Sequence, residues 1–312
     1  MIGTMPRSAA SRGSAWQRLR RSEFPVALLF ISPWIVGFLW FQLYPIVGSI
    51  YYSFTSYNIM QPPVFIGLSN FQILFGQDPL FRQALTNTLI FTAVSVPLNL
   101  TIAFIFALLL NQNIPGRAIF RTCFYFPSIV PSVAMGTLWI MLLRTRGGLV
   151  NVFLGFFGIH EIAWLSDPNW TMPALILVGT WTVGPTVVIF LAGLQDVPRV
   201  LYEAAQIDGA GPFHLVRHVT LPMISPVILF NLVIGVINAL QAFTLPYVLF
   251  GNGGNPGGPL NSALLYSVQL FQVGFKQFQM GYAAAMAWIL FVIIFVLSLI
   301  SMRLSLRLVH YE

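Results

Sequence analysis

Residues 282–302 read YAAAMAWILFVIIFVLSLISM, a run that contains no charged side chain. About 20 consecutive apolar residues cross the hydrocarbon core of a bilayer when they form an α-helix. The charged residues also divide the rest of the chain into long uncharged windows, at 24–77, 83–116, 122–143, 168–195 and 218–275. A charge at the bilayer centre costs at least about 2.5–3.5 kcal/mol, so uncharged windows of this length indicate membrane spans.

The overall composition agrees with a membrane protein. Of the 312 residues, 57% are hydrophobic and only 7% are charged, and the mean hydropathy is +0.81. A soluble domain carries about 25% charged residues, so this chain has too few to build a water-facing surface. These values exclude an ordinary cytosolic enzyme, a disordered chain and a secreted disulfide scaffold. The single cysteine, Cys123, allows no internal disulfide.

The windows predict an all-α, polytopic membrane protein with about six spans, near 24–44, 86–110, 120–143, 172–194, 222–249 and 282–302. Tyr44-Pro45 is expected to end or kink the first span. The glycine-rich run 251–259 cannot continue a helix. The short piece 260–275 carries two glutamines, and we expect it to be interfacial or re-entrant, with a seventh span as the alternative.

The distribution of lysine and arginine predicts the orientation, because positively charged loops stay in the cytoplasm. With six spans, both tails share one side with the loops around 117–121 and 196–222. That side holds eleven of the cations, and the other side holds four. We therefore expect both termini to be cytoplasmic, with a basic tail over 1–23, a transmembrane domain over 24–303 and a second tail over 304–312.

Motifs for phosphate binding and catalysis are missing from the sequence. A P-loop needs Gly-Lys-Ser/Thr, but the only lysine, Lys276, follows Phe275. No Gly-x-Ser-x-Gly elbow or His-Glu-x-x-His site occurs. His214 and His218 have helical spacing but no further ligand nearby, which favours solvated interfacial side chains. We expect no catalytic residue, metal site or cofactor in this chain, and the scattered cations predict no nucleic-acid surface.

The segment 196–222, between spans four and five, predicts two short helices joined by a turn. Asp196 is expected to cap the first helix. Asp208-Gly209 is expected to end it, because glycine tolerates the left-handed conformation at a helix C-terminus. Pro212 can start the second helix. Small residues on this backbone permit close approach by another protein, while an ordinary amphipathic connector along the membrane surface is the alternative.

Three pieces of this segment carry a resemblance to a known family. Glu203-Ala204-Ala205, Asp208-Gly209-Ala210 and Leu221-Pro222 resemble the EAA loop of permease subunits in binding-protein-dependent ABC importers. The rest of the chain, from about Phe24 to Arg303, looks like the maltose and multiple-sugar branch of that family. Supporting pieces are Phe65-Ile66-Gly67-Leu68-Ser69-Asn70-Phe71 and Gly281-Tyr282-Ala283-Ala284-Ala285.

The resemblance implies a division of labour among several subunits in a bacterial-type inner membrane. The permease domain over 24–303 would form the pathway with a second permease, usually a different chain. Two cytoplasmic ATPase subunits, which would hold the ATP and Mg²⁺, would dock on the 196–222 loop. An external solute-binding protein would deliver the sugar. The residues implied in coupling to the ATPase are Glu203, Ala204, Ala205, Asp208, Gly209 and Ala210.

Polar residues within the spans are candidates for lining the pathway. Asn231, Asn238 and Gln241 follow one face of span five, and spans two and four add Asn99 and Thr182. Amides and hydroxyls suit a sugar, which presents hydroxyls and a weakly apolar face but no charge. For each residue, hydrogen bonding between helices is the alternative.

Two other functions stay open. A stand-alone secondary transporter of a small polar solute predicts uptake by this chain without ATP, although the spans contain no acid for a proton relay. An ABC permease for a polyol or a glycerol phosphate is the second alternative. A phosphate favours cations in the pathway, and the spans offer none.

Overall fold

The computed structural model describes residues 24–112, 115–251 and 253–305. The predicted tail over 1–23 and most of the tail over 304–312 lie outside them. The described part is almost entirely helical, which confirms the all-α prediction. Its one sheet pairs β1, Thr55–Ser56, antiparallel with β2, Val64–Phe65. The chain forms two units, divided between Tyr52 and Ser53.

The first unit contains the first predicted span. Helix α1, Phe24–Phe38, continues through a π-helical turn, Leu39–Leu43, into α2, Tyr44–Ser53. One alternative had predicted that the span ends at Tyr44-Pro45, and this was wrong because the helix continues to Ser53. In the π-helical turn the Tyr44 N–H donates to the carbonyl of Leu39, five residues back. Pro45 has no N–H to donate. The wider π-helical turn before it, and its own place in the first turn of α2, accommodate it without ending the helix.

The second unit contains the remaining helices. Its first half comprises α3 (Ser69–Gly76), α4 (Pro79–Asn111), α5 (Arg117–Ile129), α6 (Ser132–Leu142), α7 (Leu149–Gly155), α8 (Pro168–Thr180) and α9 (Gly184–Asp196). Then follow α10 (Arg199–Ile207), α11 (Pro212–Leu215), a π-helical turn (Val216–Thr220), α12 (Leu221–Met223), α13 (Ser225–Leu240) and α14 (Thr244–Gly251). A 3₁₀ turn (Pro259–Asn261), α15 (Tyr266–Phe271), a π-helical turn (Gln272–Lys276) and α16 (Met280–Ser305) complete it.

Six helical runs of the described chain coincide with the six predicted spans. Four are long and apolar enough to cross a bilayer alone: Val26–Ser53, Pro79–Asn111, Ser225–Gly251 and Met280–Arg303. The other two are bent pairs, α5 with α6 at 99° and α8 with α9 at 50°. The first bend follows from Pro131, because a residue before proline avoids the α region and Val130 is extended, with ψ 128°.

Helices α4 and α8 both begin at an aspartate followed by proline. Asp78 Oδ1 accepts hydrogen bonds from the Leu80 and Phe81 N–H groups, at 2.9 and 3.0 Å. Asp167 Oδ1 accepts in the same way from the Asn169 N–H, at 2.9 Å. An aspartate cap followed by proline fixes the first turn of a helix, because the cap satisfies free N–H groups and proline has the helical φ already.

The 260–275 piece is not a span but a buried, broken segment between α4 and α16. The Tyr266 N–H donates to Thr88 Oγ1 and the Tyr266 hydroxyl to the Met286 carbonyl, both at 2.7 Å. The side-chain amides of Gln83 and Asn87 donate to backbone carbonyls of residues 260–264. The segment is held by the helices on either side, and its helical run, Tyr266–Phe271 followed by the turn Gln272–Lys276, is shorter than a membrane span.

Two glycines of the bent pair α8–α9 differ sharply in their surroundings. A Cβ added at Gly184 would lie 2.5 Å from the Phe124 carbonyl oxygen and 3.0 Å from Tyr125 Cα. A Cβ added at Gly179 would meet nothing within 4 Å. The backbones of α9 and α5 thus touch at Gly184, as small residues allow in membrane helix packing.

We expect Gly184→Ala to destabilise the purified protein by about 1–3 kcal/mol, because the added methyl forces two backbones apart. Thermal unfolding of the protein in detergent measures the change. Gly179→Ala is the control and should be neutral or slightly stabilising, because alanine is the better helix former. Equal unfolding temperatures for the two variants would contradict the close contact.

Candidate substrate cavity and coupling loop

A cavity of about 250 Å³ lies among α4, α8 and α13 and the break after α8. Its lining includes four polar side chains, Ser95, Asn99, Thr182 and Asn238. Three of these are predicted pathway residues from three different spans. Gly179 and Gly235 also line the cavity, and their lack of side chains leaves the space open. No charged side chain is among the residues that line it.

The polar groups of the cavity are not all satisfied by the protein. Within the described part of the chain, Asn99 Oδ1 is buried and has no hydrogen-bond partner. Thr182 Oγ1 donates to the Gly179 carbonyl at 3.1 Å, which closes the break between α8 and α9. A buried acceptor without a partner costs about 1–3 kcal/mol, so Asn99 requires an explanation beyond packing.

The other two predicted pathway residues do not line this cavity. Asn231 is 5% exposed, and its Nδ2 donates to the Val227 carbonyl one turn earlier, at 2.9 Å. Gln241 is the exposed residue that follows the last turn of α13. Ser95 was not among the predicted pathway residues, although it lines the cavity. It is buried and lies one turn before Asn99 on α4. The i, i+4 spacing of Ser95 and Asn99 was the available signal.

Four aromatic rings that were not predicted as a group pack together next to the cavity. Phe243, next to the lining residue Ala242, stacks on Tyr247 at 5.2 Å between ring centroids. Phe271 lies 5.0 Å from Phe243, and Phe275 stacks on Phe271 at 5.2 Å. The four rings are contributed by the residues before and within α14 and by α15 with its π-helical turn. This combination is invisible to local sequence patterns because the contacts are long-range.

The 196–222 loop has the predicted helix–turn–helix form. The Gly209 N–H donates to the Gln206 carbonyl at 3.0 Å, and the Ala210 N–H donates to the Ala205 carbonyl at 2.9 Å. These two bonds form a Schellman motif, in which Gly209 adopts the left-handed φ of +82°. The cap prediction was wrong: Asp196 is the last residue of α9, and Pro198 stands before α10. Helix α9 ends two residues beyond the predicted span, at Asp196, which places this aspartate at its C-terminus.

One face of α10 packs inward and the other is open. The Tyr202 hydroxyl lies 3.0 Å from Thr220 Oγ1, which joins α10 to the end of the loop. Val200 and Ile207, by contrast, are 70% and 86% exposed. Glu203 and Ala204 are exposed as well. Glu203, Ala204 and Ala205 therefore lie on a helix that is anchored on one side and open on the other, and Asp208, Gly209 and Ala210 form the turn that follows it.

The C-terminal end of α9, from which the loop emerges, is held by two arginines of α5. With its amide oxygen oriented toward them, Gln195 accepts from Arg117 Nη2 at 2.8 Å and from Arg121 Nη2 at 3.0 Å. Val197, two residues later, is buried. The root of the loop is therefore buried and lies beside the bonds that join the end of α9 to α5.

The histidines of the loop stack on each other. The ring centroids of His214 and His218 are 4.0 Å apart, and both residues are exposed. Within the described residues, no group of three His, Cys, Asp or Glu side chains is arranged for a metal ion. The pair therefore has no third ligand among the described residues.

Comparisons with known proteins agree with this geometry. The chain is 42% identical to the probable ABC transporter permease protein YesP of Bacillus subtilis over 91% of each chain. It is 34% identical to the arabinooligosaccharides transport system permease protein AraP of Bacillus subtilis, over 96% of this chain and 95% of that one. It also matches a chain of a bacterial alginate ABC transporter crystallised with a pentasaccharide-bound periplasmic protein. That match has a TM-score of 0.80 and 26% identity, and covers 95% of this chain and 98% of the other.

A family profile matches the region that contains the loop and most of the cavity lining. The profile describes the binding-protein-dependent transport system inner membrane component, and it covers residues 99–310. The matched region begins at the cavity residue Asn99 and includes the whole helix–turn–helix. The chain therefore belongs to the family of inner-membrane permease components of binding-protein-dependent transport systems.

Proposed function

We propose that this chain is a permease subunit of an ATP-driven importer and forms, with a second permease, the pathway for a sugar or an oligosaccharide. A solute-binding protein outside the membrane delivers this cargo, and two ATPase subunits inside bind the 196–222 loop. The relative AraP is named as a permease for arabinooligosaccharides, and the matched crystal structure is of an alginate transporter, which supports the cargo class. The 250 Å³ cavity lined by Asn99, Thr182 and Asn238 is the observation that carries the proposal.

The chemistry of the cavity favours a neutral, hydroxyl-rich cargo. Amides both donate and accept hydrogen bonds, and hydroxyls do the same, so they match the alternating donors and acceptors of a sugar. No cation lines the cavity, which disfavours a glycerol phosphate. The aromatic group beginning at Phe243 offers flat apolar faces beside it, suited to the weakly apolar face of a pyranose ring.

Helix α9 supplies a mechanical link between the loop and the cavity. One end of α9 carries the loop at Asp196, and the break before its other end contains the cavity residue Thr182. Thirteen residues of helix span about 20 Å at 1.5 Å per residue. A force applied by the ATPase subunits to α10 would therefore tilt α9 as a rigid body and change the cavity at Thr182.

The first test concerns Glu203, which we propose makes a polar contact with an ATPase subunit. Glu203→Ala should reduce co-purification of the ATPase subunits at least about tenfold, which corresponds to about 1.4 kcal/mol of binding. Glu161→Ala removes an equally exposed carboxylate from another loop and should have no effect. ATP-independent sugar uptake by vesicles containing this chain alone would instead support the secondary transporter.

The second test concerns the turn at Gly209. Gly209→Ala places a Cβ on a residue with φ +82° and should cost about 1–2 kcal/mol, because the left-handed conformation crowds Cβ. Sugar-stimulated ATP turnover by the assembled importer should fall. Gly211→Ala is the matched control, since Gly211 has an ordinary φ of −76° and open space around it. Equal turnover by the two variants would show that this turn has no role in coupling.

The third test separates a pathway amide from a structural one. Asn99→Leu removes a buried acceptor without a partner, so we expect unchanged or higher stability and at least about a tenfold rise in the half-saturating sugar concentration for ATP turnover. Asn231→Leu removes an amide that is already hydrogen-bonded outside the cavity. It should lower the stability and leave sugar dependence unchanged. The opposite pattern would move the pathway to Asn231.

A further inference from the structure

A second polar pocket, of about 630 Å³, lies far from the 196–222 loop. It is lined by residues after β1, by the junction between α3 and α4, and by the junction between α15 and α16. The opposite end of α4, around Leu109, borders the loop together with Tyr202. Because α4 runs over Pro79–Asn111, the pocket and the loop lie about 50 Å apart along this helix.

The deepest polar group of this pocket is Gln269. Gln269 is 4% exposed and lies on α15 between the buried residues Val268 and Val273. Gln269 is one of the residues that line the pocket. Its amide can both donate and accept hydrogen bonds, so it is suited to pair with a polar ligand that enters the pocket.

The frame around Gln269 is fixed by hydrogen bonds that do not involve it. Asp78 Oδ2 accepts from the Tyr282 hydroxyl at 2.7 Å, while Oδ1 of the same carboxylate caps α4. The Gly281 N–H donates to the Tyr57 carbonyl at 3.1 Å. These bonds tie α4 and the segment after β1 to the start of α16. The pocket is therefore preformed, which lowers the entropic cost of binding.

The lining groups select a neutral ligand rich in hydroxyls. Five further amide side chains line the pocket, and two tyrosines, Tyr57 and Tyr282, add aromatic rings. The amides belong to Asn58, Asn70, Gln77, Gln277 and Gln279, of which Asn70 already donates to the Ser53 and Thr55 carbonyls. No lysine, arginine or histidine lines it, and its one carboxylate, Asp78, would repel an anion. Amides that donate and accept match sugar hydroxyls, and the volume falls within the usual range for small-molecule sites.

We propose that this pocket is a separate binding site for a neutral sugar unit, with Gln269 as its central contact. The site rests on the proposed function, because it deepens the same transport activity. Leu80 at the pocket and Asn99 at the cavity are about 30 Å apart along α4, so the two sites are distinct. Under the predicted orientation the pocket faces outward, where it receives the sugar before the cavity does.

The experiment measures equilibrium sugar binding to the complete importer in nanodiscs, without the solute-binding protein. Methyl glucoside, methyl galactoside and lactose are the neutral probes, galacturonate is the anionic probe, and saturation-transfer NMR is the readout. We expect saturable binding of at least one neutral probe and at least a tenfold loss with Gln269→Leu. Gln72→Leu, an exposed glutamine of α3 outside the pocket, should bind as the unsubstituted protein does.

Further variants separate this site from the cavity and from a folding defect. Asn99→Leu should leave binding at the pocket unchanged. If Gln269→Leu does not fold, Gln277→Leu at the exposed rim should weaken binding at least threefold. Unchanged binding by the Gln269 variant, absence of saturable binding, or tighter binding of galacturonate would each overturn the proposal. The proposal would also be overturned if Gln269→Leu bound the sugar probes normally but no longer bound the solute-binding protein. The pocket would then be a site for a loop of that protein.

Failure of this site and failure of the proposed function give different results. Delivered sugar that still stimulates ATP turnover, together with unchanged binding by Gln269→Leu, would remove the site and keep the importer. Neutral sugar that binds through Gln269 in an importer without sugar-stimulated turnover would keep the site and remove the proposed cargo.

Discussion

Hydrocarbon offers no hydrogen-bond partner, and this constraint governs where the helices of this permease can break. At the break after α8, the hydroxyls of Thr180 and Thr182 donate to the Leu177 and Gly179 carbonyls. Near the bend after α5, the Ser128 hydroxyl donates to the Tyr125 carbonyl at 2.6 Å. Each of the two bent pairs thus has a hydroxyl that donates to a backbone carbonyl at or near its bend. The chain can bend within the membrane because side chains replace the bonds that the bends remove.

The candidate cavity lies at one of these interruptions. The cavity borders the break that contains Thr182, and the same helix, α9, leads from this break to the root of the 196–222 loop. At that root, Gln195 of α9, with its amide oxygen turned toward them, accepts hydrogen bonds from Arg117 and Arg121 of α5. The end of one bent pair is therefore joined to the start of the other.

The spans were predictable because charges and apolar runs are local properties of the sequence. The six uncharged windows coincide with the six helical runs, and Gly209 marked its own turn through a conformation that glycine adopts readily. The bends were not predicted, although Pro131 and Pro185 were present, because a proline in a span can kink it, end it or be absorbed. Pro45 was absorbed by a π-helical turn.

The candidate sites were only partly predictable, for a different reason. Asn99, Thr182 and Asn238 were recognised one by one as polar residues in apolar spans, but only their long-range packing brings them to one cavity. Asn231 is also an asparagine in an apolar span, on the same predicted face as Asn238. Its amide nevertheless donates to a carbonyl of its own helix, which no sequence pattern reveals. From the sequence, Gln269 indicated only that the piece 260–275 is interfacial or re-entrant. Its position in a pocket depends on three separate parts of the chain.

The carbonyls of residues 260–264 accept hydrogen bonds from Gln83 and Asn87 of α4, and Leu260 and Asn261 have left-handed φ values of 54° and 57°. A non-glycine residue adopts this conformation at a cost, so the segment depends on outside support. Its donors on α4 lie nearly 180 residues earlier in the sequence. During synthesis, the ribosome therefore releases the donors long before the acceptors. Because synthesis proceeds from the N-terminus, α4 is made before residues 260–264. Its side-chain amides are therefore available to order this strained segment when the segment is made.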